Sequence, residues 1–197
     1  GIEAMLNELP ESGWRLNMIS ADPNSVLFDQ QFPLVPGDDA MDAKEMYMKI
    51  YPGTLEAGFD AIMNYMDYNS YAQSWIRPDA SLLVVLVSDE DDQSIVSVEE
   101  FEDWYSLARP QRFLASIVQF LPADALCTNP SPGVRYMEAT NYFNGVIVDI
   151  CSTDWSKGIR DAEASIEPYD SWNLRREPVE ETLAVLIDGA PLPQNQW

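Results

Sequence analysis

Histidine is absent from this 197-residue chain, and with it go the commonest general base and the commonest zinc ligand. Serine-hydrolase triads, thiol-protease dyads and the usual zinc sites are therefore excluded. Basic residues are scarce: 11 Lys and Arg stand against 33 Asp and Glu, a formal charge of −22. A surface so acidic repels phosphate backbones and anionic lipid headgroups, whereas divalent cations and basic protein surfaces become favoured partners. The acidity also keeps a protein in solution. Cysteine is limited to Cys127 and Cys151, too few for a thiolate metal cage and not spaced as a Cys-x-x-Cys pair. A disulfide between them would close a loop of about 24 residues, worth ~3 kcal/mol in the loop-entropy picture. Two buried free thiols are the alternative. The turn-rich run Asn129-Pro130-Ser131-Pro132-Gly133 between them favours the disulfide, because such a segment gains from being tied down. No apolar run approaches the roughly 20 residues of a membrane span, and Gly1 to Pro10 lack the basic start and apolar stretch of a signal peptide. A phosphate-cradling glycine loop and an activated nucleophile are also missing, so catalysis is disfavoured. A hydrolase working through carboxylates or a metal is the enzymatic alternative.

What the chain does have is the composition of a folded protein, with 46% hydrophobic residues and six Trp. Ile2, Met5, Leu6 and Leu9 share one face of a helix that ends before Pro10. Trp14 to Ala21 alternates as a strand, Asp22-Pro23-Asn24 forms a turn, and Ser25 to Gln31 is its expected antiparallel partner. Ala40 to Ile50 and Leu55 to Met66 have helical spacing. Leu82 to Val87 is an unbroken apolar run, too short for a helix and oily on both faces, which predicts a central parallel strand covered front and back. Val98 to Leu107 follows as a helix, opened by a capping box from Ser97 to Glu100. A strand over Phe113 to Phe120, a helix over Val134 to Phe143, a strand over Val146 to Ile150 and a helix over Trp155 to Ile166 complete the alternation. This grammar specifies an α/β fold with a doubly wound, mostly parallel sheet. After Pro168 it changes: Ser171 to Arg176 and Thr182 to Ile187 read as a β-hairpin closed by Asp188-Gly189. The expected domains are 1–167 and an extension over 168–197.

The apolar run ends in Ser88-Asp89-Glu90-Asp91-Asp92. Ligands of open α/β sheets bind beyond the carboxyl ends of the strands, and four successive carboxylates repel one another unless a cation or a helix N-terminus offsets them. A hard divalent cation is the economical explanation, because it takes oxygen ligands. Caps on the following helix, facing water, are the plainer one. Of the tryptophans, most are expected in the core, with Trp75 and Tyr71, in a loop-like stretch near Pro78, as the candidates for a sugar- or protein-binding face.

The segment from Ser81 to Ser94 resembles the fourth-strand motif of bacterial von Willebrand factor A domains, in which a valine-rich strand runs into Ser-Asp-Glu-Asp-Asp. Gly53-Thr54 before an amphipathic helix resembles that family's second metal loop, Cys151 with Asp154-Trp155 resembles the end of its late strand, and Trp172 to Gly189 resembles the hairpin of some relatives. The resemblance implies a metal-ion-dependent adhesion site holding Mg²⁺, Ca²⁺ or Mn²⁺, with Thr54 and Asp89 as ligands and Asp91 as a further metal candidate. A protein partner's carboxylate would fill the open position, in an extracellular, cell-surface or particle-surface setting. The family's first-loop motif, Asp-x-Ser-x-Ser, does not occur here, nor does a strand that could carry it. That strand is expected upstream of Gly1 or on another subunit; the alternative is a divergent relative with an incomplete site, serving as a structural surface or particle component. Thr54 and Asp89 alone should hold an ion weakly, since too few oxygens replace its hydration shell.

Overall fold

The computed structural model describes residues 6, 13–51, 53–109, 111–120, 131–152, 155, 158, 161, 186–187, 190–191 and 193. The chain divides into two compact units, Gly1–Ile166 and Glu167–Trp197.

In the first unit a parallel sheet has the order β1 (Leu82–Ser88), β2 (Arg112–Val118), β3 (Val146–Asp149). Leu82 pairs with Arg112 and Ser88 with Val118, while Ala115 pairs with Val146 and Val118 with Asp149. The α-helices bounded within the described residues of this unit are α1 (Ala40–Lys49), α2 (Gly58–Tyr68), α3 (Ser70–Trp75), α4 (Val98–Ala108) and α5 (Val134–Tyr142). Helices α4 and α5 are the crossovers that parallel pairing requires. The predicted α/β alternation is thus present, with strand and helix bounds close to those expected from periodicity.

The side-chain period of two sets the core. Val84 and Leu86 of β1 and Leu114 and Val118 of β2 share one face, packed against Phe59 of α2, Phe101 and Tyr105 of α4, and Tyr136 and Ala139 of α5. Phe59 stacks on Phe101 with centroids 4.2 Å apart, Phe101 stacks on Tyr105 at 5.6 Å, and Tyr136 meets Phe59 edge-on at 5.4 Å. These rings bury large areas and add quadrupole attraction. Burial drives the Tyr105 and Tyr136 hydroxyls well above their ordinary pKa, and each finds a backbone partner: Tyr105 donates to the Phe113 carbonyl at 2.7 Å and Tyr136 accepts from the Gly58 amide at 3.2 Å. On the opposite face, a Cβ at helical Gly158 would meet Val148 at 2.1 Å, so backbone passes close over β3 there.

Three expectations need correction. Trp14 to Ala21 and Ser25 to Gln31 do not form a hairpin. Leu16 makes an isolated bridge to Leu34, and Ser25–Phe28 is a 3₁₀ turn. The alternation of Trp14 to Ala21 reflects docking instead: Trp14, Leu16 and Met18 pack on Leu34, Ala43 and Met46. The stretch holding Tyr71 and Trp75 is not a loop but α3, opened by Asn69, whose side chain accepts from the Tyr71 and Ala72 amides. Trp75 packs there against the cluster of Val26, Ala61, Tyr65 and Ala72 rather than forming a free binding face.

In the second unit, β4 (Leu186–Ile187) pairs antiparallel with β5 (Ala190–Pro191), while the predicted closing pair Asp188-Gly189 lies outside the described residues. The predicted strand Ser171 to Arg176 and most of Thr182 to Ile187 lie outside the described residues. So do the opening helix, apart from Leu6, and most of the predicted helix over Trp155 to Ile166.

Candidate functional site

The site begins with helix α2, whose sequence lacks a cap. Its N-cap is Ala57, which offers no side-chain acceptor, so the first amides of the helix need partners from elsewhere. They find them far along the chain. Gly58 N–H donates to the Tyr136 hydroxyl at 3.2 Å, Phe59 N–H to Asp92 Oδ1 at 3.3 Å and Asp60 N–H to Ser94 Oγ at 3.0 Å. Asp60 reciprocates, its carboxylate accepting from the Ile95 amide at 2.8 Å and the Val96 amide at 3.4 Å. The loop after β1 therefore acts as the missing cap of α2, a capping box assembled across more than thirty residues.

Within this loop the four acids have different fates. Asp92 is 4% exposed and lies 3.4 Å from the guanidinium of Arg135. Burial raises its carboxyl above the ordinary range, opposed by the Ser94 hydroxyl, the Phe59 amide and the charge of Arg135. Asp91 Oδ1 accepts from the Asp92 amide and from the Arg135 amide in the first turn of α5, both at 2.9 Å, and the Asp91 amide donates to Ser131 Oγ at 3.3 Å. Glu90 accepts from the Gln93 side-chain amide at 3.1 Å. Asp89 is exposed at the rim. Two helix N-termini and one arginine thus offset Asp91 and Asp92, closer to the helix-cap alternative than to a metal ion, although the helices capped are α2 and α5 and not the one that follows.

Arg135 is the residue that sequence reasoning missed. One arm of its guanidinium donates to the carbonyls of Asp92 at 3.3 Å and Ser94 at 3.0 Å, and the other donates to Val96. The ring of Phe59 lies 5.7 Å away. Its fork geometry explains how one side chain can gather three carbonyls. Nothing local marks it, because its carbonyl partners are about forty residues distant and Phe59 is farther still.

Asp22 was read only as a turn former. Its Oδ1 does make the turn, accepting from Asn24 at 2.8 Å and Ser25 at 3.2 Å. Its Oδ2, however, accepts from the Thr54 amide at 2.9 Å. The Thr54 bond is the main cause holding this carboxyl below the usual range, with burial opposing. Gly53 makes the approach possible, since a Cβ there would fall 1.9 Å from the Asp22 Cβ.

The two predicted metal loops converge. Ser88, at the end of β1, donates to Glu56 Oε2 at 2.5 Å, and the Gln93 amide donates to the Glu56 carbonyl at 2.8 Å. Glu56 stands two residues past Thr54, so the contact draws the Thr54 loop to the strand end that carries Asp89. The donor chemistry suits a hard cation, but the number falls short: among the described residues no three Asp, Glu or Cys side chains are grouped to hold an ion. Cys151 is buried just after β3, with no free thiol among the described residues. Its predicted partner Cys127, like Asp154, lies outside them.

Comparison with protein-family models, with curated proteins and with solved structures finds no match to this chain.

Proposed function

We propose that this chain is a protein-binding module of the von Willebrand factor A type, doubly wound and working through a divalent ion at the carboxyl edge of its sheet. The observation that carries the reading is the Ser88–Glu56 hydrogen bond, which brings the Thr54 loop against the end of β1 beside exposed Asp89. Asp89 and Thr54 would hold Mg²⁺, Ca²⁺ or Mn²⁺, with Asp91 able to contribute only beyond its capping duty. Such an ion supplies a Lewis-acidic position that a partner's Asp or Glu carboxylate can fill. The chain's own residues set the geometry: Arg135 and Asp60 fix the loop, and Asp22 fixes Thr54.

Two donors hold an ion weakly, so further ligands belong to a neighbouring strand. β1 stands at the end of the described sheet, and Val87 on that strand is 52% exposed, unusual for a run so apolar. An upstream segment or a second subunit pairing along β1 would cover it and bring a third loop. The setting proposed is extracellular, on a cell or particle surface, with no catalytic role. Among the described residues no helix is long and apolar enough to cross a membrane.

The test is calorimetric titration of Mn²⁺ and Mg²⁺ into the 197-residue chain and its Asp89→Asn variant. Weak saturable binding that the substitution abolishes, with an unchanged circular dichroism spectrum, is expected. Equal binding by both proteins overturns the site.

The structural-component reading has its own support: Asp91 and Asp92, half of the acidic run, serve as helix caps. It predicts no ion binding above that of an arbitrary acidic surface.

A further inference from the structure

Ile95 is 95% exposed, yet the backbone around it is held on all sides. The Gln93 amide is bound to the Glu56 carbonyl, the Ser94 amide to Asp92, and the Ile95 and Val96 amides to Asp60. The carbonyls of Asp92, Ser94 and Val96 are bound to Arg135. An apolar side chain thrust into water from a locked loop needs no ordering when it meets a partner, and preorganisation of this kind favours association. Exposed Glu99 and Glu100, in the first turn of α4 just after the knob, put negative charge beside it.

The far end of helices α2 and α4 has the complement. Helices α2 and α4 both start at the Ile95 loop and run away from it for 11 residues each, roughly 16 Å. Where they end, Met66, Ile76, Pro78, Trp104 and Leu107 line a cleft of about 470 Å³ edged by Arg109. Leu107, at its lip, is 87% exposed. Arg15, Arg77, Arg109 and Arg112 gather at this end: Arg15 donates to the Trp75 carbonyl, Arg77 to the Gly13 carbonyl at 2.5 Å, and Arg112 to the Arg109 carbonyl at 3.2 Å. These are four of the seven Lys and Arg among the described residues. One acid, Asp67, also lines the cleft and is bound by the Trp104 indole N–H at 3.0 Å.

We infer that a second copy of this chain occupies the cleft, inserting Ile95 beside Trp104 and Leu107 while its acidic rim faces the arginines. Knob and cleft lie at opposite ends of α2 and α4, so the contact is heterologous and repeats head to tail. With a net charge of −22 the copies repel at long range. At physiological salt that repulsion is screened beyond about 8 Å, leaving the charges in contact to act. The association is therefore weak in dilute solution and favoured on a crowded surface. It needs no metal ion, so it stands independently of the site at Asp89.

Sedimentation velocity over micromolar to about millimolar concentrations, with and without EDTA, tests it on the full chain. The mass of the unsubstituted protein should rise with concentration, and EDTA should change nothing. Ile95→Asp and Leu107→Asp should each weaken association by about tenfold or more, with far-ultraviolet circular dichroism unchanged because both side chains are exposed. An equal mixture of the two variants retains one intact knob and one intact cleft, so it should form dimers and nothing longer. A protein monomeric throughout, association lost in EDTA, variants that associate normally, or a folded mixture that fails to dimerise would each overturn the inference.

Discussion

The guanidinium of Arg135 stands 3.4 Å from the carboxylate of Asp92, whose side chain is wholly shut off from solvent. From there Arg135 reaches the carbonyls that turn the loop back toward α4. The pair joins the N-termini of α2 and α5 at the end of β1, the place where a ligand of an open sheet would sit.

Arg135→Met should be strongly destabilising. The aliphatic stem can still pack on Phe59, but the buried Asp92 charge loses its partner and three carbonyls lose their donor. Breaking a buried pair from one side costs about 3–5 kcal/mol; since Arg135 is 28% exposed, the lower part of that range is expected. Urea denaturation checks it, and a loss within experimental error would show that water replaces the guanidinium.

Acid titration should separate Asp22 from Asp92. Asp22 is depressed below its ordinary 3.8, chiefly by the Thr54 amide. Its contribution is complete above that value and is lost as the pH falls through the lower, folded-state value. Asp92 is raised above 3.8 by burial. The folded state therefore binds its proton first, and stability from this group rises as the pH falls from above the folded-state value to 3.8. Asp22→Asn should accordingly lower stability near neutrality by about 2 kcal/mol, with the deficit vanishing in strong acid. A deficit independent of pH would mean that the Thr54 bond does not depend on the charge.

The parts that local physics decides were legible from the residues. The run from Leu82 to Val87 is the expected parallel strand, Ser97 and Glu100 make the expected capping box, and apolar spacing located the helices. The expected central place, covered on both faces, is not what β1 has among the described residues: it ends the sheet, and Val87 is exposed. Trp14 to Ala21 misled because alternation also arises where an irregular segment lays every second side chain on a neighbour. Helix α3 was missed because six residues are too few for periodicity, although Asn69 followed by Ser70 is a cap signal. The site was half legible. Asp89 and Thr54 stood out by position, whereas Arg135, Asp60 and Glu56 draw their roles from contacts about thirty to forty residues away, and no window on the sequence joins them. The acidic run was noticed for its charge, while the need it meets, an uncapped α2, was hidden at Ala57.

Gly53→Ala should disturb the Thr54 loop without touching the core. The new methyl would meet Asp22 at 1.9 Å, which forces either the turn at Asp22 or the loop to move. Overpacking of this kind costs about 1–3 kcal/mol, and the Thr54–Asp22 bond should break with it. The Thr54 amide should then exchange with deuterium faster, while amides of β2 keep their protection. Uniform loss of protection would place Gly53 in the global fold instead.

Replacing Asp89 and Asp92, three positions apart, with alanine should have opposite consequences. Asp89→Ala removes an exposed carboxylate, and surface changes of this sort stay within about 0.5 kcal/mol; what it should remove is Mn²⁺ binding. Asp92→Ala strips the Phe59 amide and the Ser94 hydroxyl of their acceptor and leaves Arg135 without its ion pair. Unmet buried donors cost about 1–3 kcal/mol each, so the melting temperature should fall by several degrees. Ion binding should persist wherever the protein is still folded, because Asp92 faces α2 and not the rim. If Asp92→Ala abolished binding at a temperature where the fold is intact, the division of this acidic run into an outer, ligand-facing half and an inner, helix-capping half would be wrong.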